Sequence, residues 1–316
     1  MGRALGLTLA VLNGAVGDYL ARSNNGLALD MEIIQGGEVV PLENAALRAA
    51  FPAASPRVVV LIHGLMCSES IWDIPGGGDY GSHLAADFGF SPIYLRYNTG
   101  LPIADNGETL ARLLVDLVRE WPVPVEEVML LGFSMGGLVS RAACHVASLE
   151  SLSWLPLVKR ALYVGTPHLG APLERLGRAV TRLLSSIPDP YTRLVAELAD
   201  LRSDGVKDLG DADIRHSDRA RRAPTLSIRD ARHPVPMLPS IRHYLVAGSL
   251  SEDPLLATWF GDFMVPVPSA TDGTVAPRDR DVLPPDHVRV LPGLAHMTLA
   301  HHPDVYTHLK TFCGDG

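Results

Sequence analysis

The chain has 316 residues, with 27 Lys and Arg against 35 Asp and Glu for a net charge of −8, and is 47% hydrophobic and 20% charged. That composition can bury a large core, and the length allows one large α/β domain or two small ones. The acid excess, with basic residues scattered apart from a short cluster at Arg219, Arg221 and Arg222, argues against a nucleic-acid partner.

At the N-terminus an uncharged stretch from Ala4 to Gly17 follows Arg3. It is too short to span a membrane and is interrupted by Asn13 and Gly14. It has the outline of a short secretory leader, with Ala15-Val16-Gly17 as a weak small-x-small cleavage site. Cys67, Cys144 and Cys313 are too few and too widely spaced for a disulfide framework or a zinc finger, and read as free thiols in a reducing compartment. A cytoplasmic protein is expected, with secretion as the alternative.

Short apolar runs then alternate with amphipathic segments. RVVVLIHG (57–64) and SPIYLRYN (91–98) are buried strands by their β-branched and aromatic content. From Asp105 to Trp121, apolar residues at Leu110, Leu113, Leu114, Leu117, Val118 and Trp121 mark one helical face, which Pro122 and Pro124 end. VEEVMLLGF (125–133) predicts a strand, Met135 to Leu149 a helix, and RALYVGTP (160–167) a strand. HYLVAGSL (243–250) and HVRVLP (287–292) predict two more strands before a terminal helix from Pro303 to Phe312. Such alternation implies an α/β fold with a mostly parallel central sheet covered by helices on both faces. Residues 171–240 contain no strand-like run. The stripes Leu173, Leu176, Val180, Leu183, Leu184, Ile187 and Tyr191, Leu194, Val195, Leu198, Leu201 predict a helical cap inserted over the carboxyl edge of the sheet. One domain, 1–316, is expected to contain it.

Gly132-Phe133-Ser134-Met135-Gly136 carries the chemistry. A G-x-S-x-G string is weak alone, but here a strand runs into it and a helix leaves it, the setting of a nucleophile elbow. The serine hydroxyl needs a base, and the base a carboxylate to fix its tautomer; these follow the serine in the order acid, then histidine. His296, just past the last strand in GLAHMTL, is the expected base, with His301 as the alternative. Asp262 and Asp272 both lie in the preceding segment, and spacing does not separate them. Backbone N–H donors for an oxyanion are expected at Met135, directly after the serine, and at Leu65 in the His63-Gly64-Leu65 turn, where His63 only shapes the loop.

These residues resemble an α/β-hydrolase of the bacterial lipase and esterase type, close to the branch of serine esterases similar to GPI-inositol deacylases. The resemblance rests on VLIHGL (60–65), GFSMGGLVSRAACH (132–145), GTPHLGAPLER (165–175), GDFMVPVPSA (261–270) and HMTLAHHPDVYTHL (296–309), and is weakest over 176–240. It implies Ser134 as nucleophile and His296 as base. Its acid motif, Asp followed by Val-Pro and then Ser-Ala, fits Asp262 better than Asp272, although Phe263 stands where relatives often have Gly. His168 precedes the acid in the chain, so it is expected to shape its loop. The implied activity is carboxylic-ester hydrolysis through an acyl-enzyme, on medium- to long-chain or water-insoluble esters. The alternatives are a thioesterase, phospholipase or deacylase with the same triad, or a non-catalytic binding protein. An ester or lipid substrate is expected, with transient contact at a lipid interface; no cofactor, metal or protein partner is.

Overall fold

The computed structural model describes residues 3–171, 203–219, 235–250, 265, 267–271 and 283–314. An eight-stranded sheet of order β2-β1-β4-β3-β5-β6-β7-β8 forms its centre. The strands are β1 (Glu32–Gln35), β2 (Glu38–Val40), β3 (Arg57–Ile62), β4 (Ser91–Arg96), β5 (Glu127–Phe133), β6 (Val158–Val164), β7 (Arg242–Ser249) and β8 (Val288–Pro292). The five neighbour pairs from β4 to β8 are parallel, whereas β1 runs antiparallel to both β2 and β4. The six runs read as strands in the sequence are thus the parallel part, and the β1–β2 hairpin adds an edge. Gly36 and Gly37, both with positive φ, make the two-residue turn that hairpin twist favours.

Strand alternation sends side chains to two cores. Val58, Val60, Ile62, Val128 and Leu130 join one core, covered by α1 (Arg3–Arg22), α2 (Asn44–Ala50), α4 (Ile103–Glu120) and α5 (Met135–Glu150). Val59, Leu61, Met129, Leu131 and Phe133 join the other, covered by α3 (Tyr80–Phe88) and, after α6 (Asp204–Asp211), by α7 (Pro303–Gly314). Burial on both faces explains why the central strands read as continuous apolar runs without alternation.

The uncharged N-terminal stretch lies within α1. Its Ala10, Val11, Asn13, Ala15 and Leu20 are buried. Asn13 Nδ2 donates to the Leu9 and Leu27 carbonyls at 2.9 and 2.8 Å, and its Oδ1 accepts from the Leu29 N–H at 2.9 Å. The polar residue that interrupts the leader-like pattern therefore ties α1 to the following loop. Among the described residues, no helix is long and apolar enough to cross a membrane. Of the expected cap, residues 172–202 and 220–234 lie outside the described residues, and both apolar stripes fall there. The described part of that region holds α6 and a one-turn helix, His216–Arg219.

Candidate active site

Strand β5 ends at Phe133 and α5 begins at Met135, leaving Ser134 alone at the junction. Its backbone, φ 53° and ψ −122°, lies in a region that side chains avoid. Neighbouring backbone holds it there: the Ser134 N–H donates to the Val164 carbonyl at 2.8 Å, and the Gly137 N–H to the Ser134 carbonyl at 3.1 Å. The flanking glycines are required by contact. A Cβ on Gly132 would lie 2.5 Å from the Gly137 nitrogen, and one on Gly136 would lie 2.0 Å from the Ile62 carbonyl oxygen.

His296 opens a one-turn 3-10 helix (His296–Ala300) after β8 and is buried. Its Nε2 stands 2.9 Å from Ser134 Oγ. The ring packs on Phe133, with centroids 5.1 Å apart, and lies over Gly165, where a Cβ would come within 3.1 Å of Cε1. His301, the alternative base, instead points Nδ1 at the Ile71 carbonyl, 3.2 Å away. Asp262 and Asp272 lie outside the described residues.

Past β3, the Cys67 N–H donates to the Gly64 carbonyl at 3.1 Å, closing a tight turn over residues 64–67. The turn presses on the serine, since a Cβ on Gly64 would lie 2.9 Å from Ser134 Cβ. Within it, Met66 has φ 58°, which few side chains adopt, and its N–H donates to Thr99 Oγ1 at 3.1 Å. Leu65 thus sits in a hydrogen-bonded turn whose Gly64 packs on Ser134. Met135 is the first residue of α5, where an N–H has no acceptor within its own helix. Of the two positions expected to donate to an oxyanion, Met135 directly follows the serine and Leu65 follows the glycine packed on it.

Three buried histidines support the surrounding loops. His63 Nδ1 donates to the Gly64 carbonyl at 2.9 Å, and the ring stacks on Tyr97 at 4.4 Å. The Tyr97 hydroxyl in turn donates to the His63 carbonyl at 2.7 Å. Burial lowers the His63 pKa to about 4, so the ring is neutral. His168 Nδ1 faces Arg141 Nη1 at 2.8 Å; an arginine only donates, so Nδ1 accepts and the ring proton resides on Nε2. Burial, then the charge of Arg141, holds the His168 pKa well below its ordinary value. The loop it occupies clasps a one-turn helix, Val267–Ala270. The His168 N–H donates to the Ser269 carbonyl at 2.9 Å, the Leu169 N–H to Ser269 Oγ at 3.1 Å, and Ser269 Oγ to the Gly170 carbonyl at 2.6 Å. His243, also buried, stacks on Tyr163, with ring centroids 5.8 Å apart.

Thr99, Arg141 and Ser269 were not anticipated from the sequence. Thr99-Gly100 directly follows the run SPIYLRYN, at the end of a strand where a loop is signalled. Arg141 and Ser269 are recruited by residues 27 and about 100 positions away, and local pattern gives no hint of that.

The sequence matches the profile of the alpha/beta hydrolase family over residues 59–308. The chain belongs to that family. No curated protein matches it in sequence. Similar solved structures include a lipase of Bacillus licheniformis in mature form, 17% identical, covering 82% of this chain and 94% of that one at a TM-score of 0.48. An esterase of Pyrococcus furiosus is 14% identical, with 82% of each chain covered and a TM-score of 0.46. Lipase 1 of Pelosinus fermentans is 13% identical, covering 82% of this chain and 98% of that one at a TM-score of 0.47. In this hydrolase-family chain the matched span begins within β3 and ends within α7, so it includes both Ser134 and His296.

Proposed function

We propose that this chain is a serine carboxylic-ester hydrolase. The observation that carries the reading is the 2.9 Å approach of His296 Nε2 to the hydroxyl of a serine held at positive φ between strand and helix. In the proposed mechanism His296 Nε2 takes the Ser134 proton as Oγ attacks the ester carbonyl. That step requires the resting ring proton on Nδ1, which needs an acceptor. Asp262 is assigned to it, with Asp272 as second choice, and the carboxylate stabilises the imidazolium. The oxyanion is held by the Leu65 and Met135 N–H groups. His296 then protonates the departing alcohol oxygen, leaving the acyl group on Ser134. Water attacks the acyl-enzyme with the same base, returning the acid product and free serine.

Medium- to long-chain or water-insoluble esters, met at a lipid interface, are the proposed substrates, supported by the apolar stripes of residues 173–201 in the sequence. Those stripes, and the motif likeness to the GPI-inositol-deacylase-like branch, rest on sequence alone.

The test is intact mass after exposure to a fluorophosphonate, beside Ser134→Ala. One adduct on the wild type and none on the variant is expected. A p-nitrophenyl ester series from two to sixteen carbons then gives chain-length preference; thioester turnover exceeding that of every ester would reassign the chain as a thioesterase. A folded wild type that takes no adduct, with or without detergent, would remove the hydrolase reading and leave a binding scaffold.

A further inference from the structure

Helix α1 and the turn that carries Leu65 meet in an unusually close contact. A Cβ on Gly14 would lie 2.3 Å from Met66 Cγ and 3.1 Å from both the Met66 nitrogen and its Cα. Met66 is the residue at φ 58° in the turn closed by Cys67 and Gly64. The same helix grips the segment that holds the other side of the turn. Asn98 Nδ2 donates to the Gly17 carbonyl at 3.0 Å, and Asn98 Oδ1 accepts from the Gly100 N–H at 3.0 Å. A Cβ on Gly100 would strike the Asn13 carbonyl oxygen at 2.2 Å, so the backbones of α1 and residues 98–100 touch. Between Asn98 and Gly100, Thr99 Oγ1 accepts the Met66 N–H. From below, Ser203 Oγ donates to the Gly14 carbonyl at 2.7 Å, and the Gly205 N–H to the Gly100 carbonyl at 3.0 Å.

Met66 is therefore held from two sides, by Gly14 of α1 and by Thr99 on a segment that α1 itself fixes. A side-chain-bearing residue at positive φ relaxes toward negative φ when its surroundings permit. That relaxation turns the Leu65–Met66 peptide, and because the Cys67-to-Gly64 bond closes the turn, the change passes through Leu65 to the Gly64–Leu65 peptide, which carries the Leu65 N–H. An oxyanion donor acts only when preorganised toward the developing charge.

We infer that α1 is a strap that positions the oxyanion-binding turn, so that the contact of Gly14 with Met66 contributes to the rate of the chemical step. The inference rests on the proposed serine hydrolysis, and Gly14, Thr99 and Met66 are positioning residues that touch no substrate. The N-terminal stretch that looks like a leader thereby acquires a part in activity.

Steady-state kinetics on a p-nitrophenyl ester, inhibition by a trifluoromethyl ketone and thermal melting test it. Gly14→Ala places a methyl group against Met66, and Thr99→Val removes the acceptor with little change of shape. In both, kcat is expected to fall by about 10- to 100-fold, up to the loss of one oxyanion donor. KM should stay within about twofold, and the inhibitor should weaken in step with kcat/KM, because the hemiketal that Ser134 forms with the ketone and the transition state share the oxyanion. Adding Met66→Gly to Gly14→Ala removes the struck side chain and suits the positive φ, and should restore most of kcat. Gly6→Ala, on the same helix with open space around it, should leave kcat, KM and inhibitor affinity unchanged. Folded Gly14→Ala and Thr99→Val proteins with wild-type kcat and inhibitor affinity would overturn the inference, even if their melting points fell. Should Gly14→Ala fail to fold, Thr99→Val decides alone. A wild type that neither hydrolyses esters nor takes the fluorophosphonate would fail the parent reading instead, whatever the variants do.

Discussion

A residue with a side chain at φ 53°, ψ −122° sits in backbone space that costs about 1–3 kcal/mol. At Ser134 that cost is met by hydrogen bonds to Val164 and from Gly137 and by the close packing of Gly64. The strain aims the hydroxyl at His296, so it should be separable from the chemistry by substitution. Ser134→Ala and Ser134→Gly both lack the hydroxyl, yet only glycine is at ease with this backbone. Relaxed strain should outweigh the about 0.5–1 kcal/mol that glycine loses in chain entropy, leaving Ser134→Gly the more stable by about 1 kcal/mol. Urea unfolding of the two inactive variants measures the difference, and a less stable glycine variant would show that no strain is stored at this position.

Helix α1 shows how one composition can fit two readings. Its uncharged run satisfies the pattern of a leader and equally that of a buried helix, because both require apolar residues and few charges. What the structure adds is contact with Asn98 to Gly100 and with Ser203, about 80 and 190 residues away. Within the run, Asn13 is the buried polar residue that ties the helix to the loop after it. Asn13→Ala removes one acceptor and two donated bonds and leaves the Leu29 N–H without its partner, so it should destabilise the fold by about 1–3 kcal/mol. Chemical unfolding checks this; an unchanged midpoint would mean α1 is not part of the cooperative unit.

Elsewhere the parallel strands were legible because two-sided burial writes them as β-branched runs. The β1–β2 hairpin was passed over although Gly36-Gly37 lies between EIIQ and EVV, a turn signal flanked by strands too short to stand out. Helix α3, entered through a reciprocal capping bond of Asp79 and Ser82, was missed in the same way. Of the candidate site, the approach of His296 to Ser134 was legible, because the chemistry demands that order in the chain. The site was not legible at Asp262 and Asp272, since two aspartates in one long segment have equivalent spacing, and a resemblance alone favoured one of them.

Across the whole molecule, neutral histidines are built into the interior. His63 and His243 are held at about 4, and His168 well below its ordinary value, in each case chiefly by burial. An unfolded chain binds protons at these sites near pH 6.5 while the folded chain does not, so protons favour unfolding. Stability contributed by their neutral burial is complete above about pH 6.5 and is lost as the pH falls, for His63 and His243 by on the order of 3 kcal/mol each down to pH 4. Urea midpoints between pH 7.5 and 4.5 should fall accordingly, and His243→Asn, which cannot titrate, should flatten the slope. A pH-independent midpoint would contradict the assigned neutrality.

All three thiols, Cys67, Cys144 and Cys313, are buried, and burial pushes each up to about 12. A thiolate is the reactive form, so at neutral pH the native chain presents almost none to an alkylating reagent and must open before it can be modified. The three sites sit in different places: one in the turn behind the serine, one on α5 and one on the final helix. The order in which they become alkylated is therefore a map of where the molecule opens first, written by its own side chains without any introduced label.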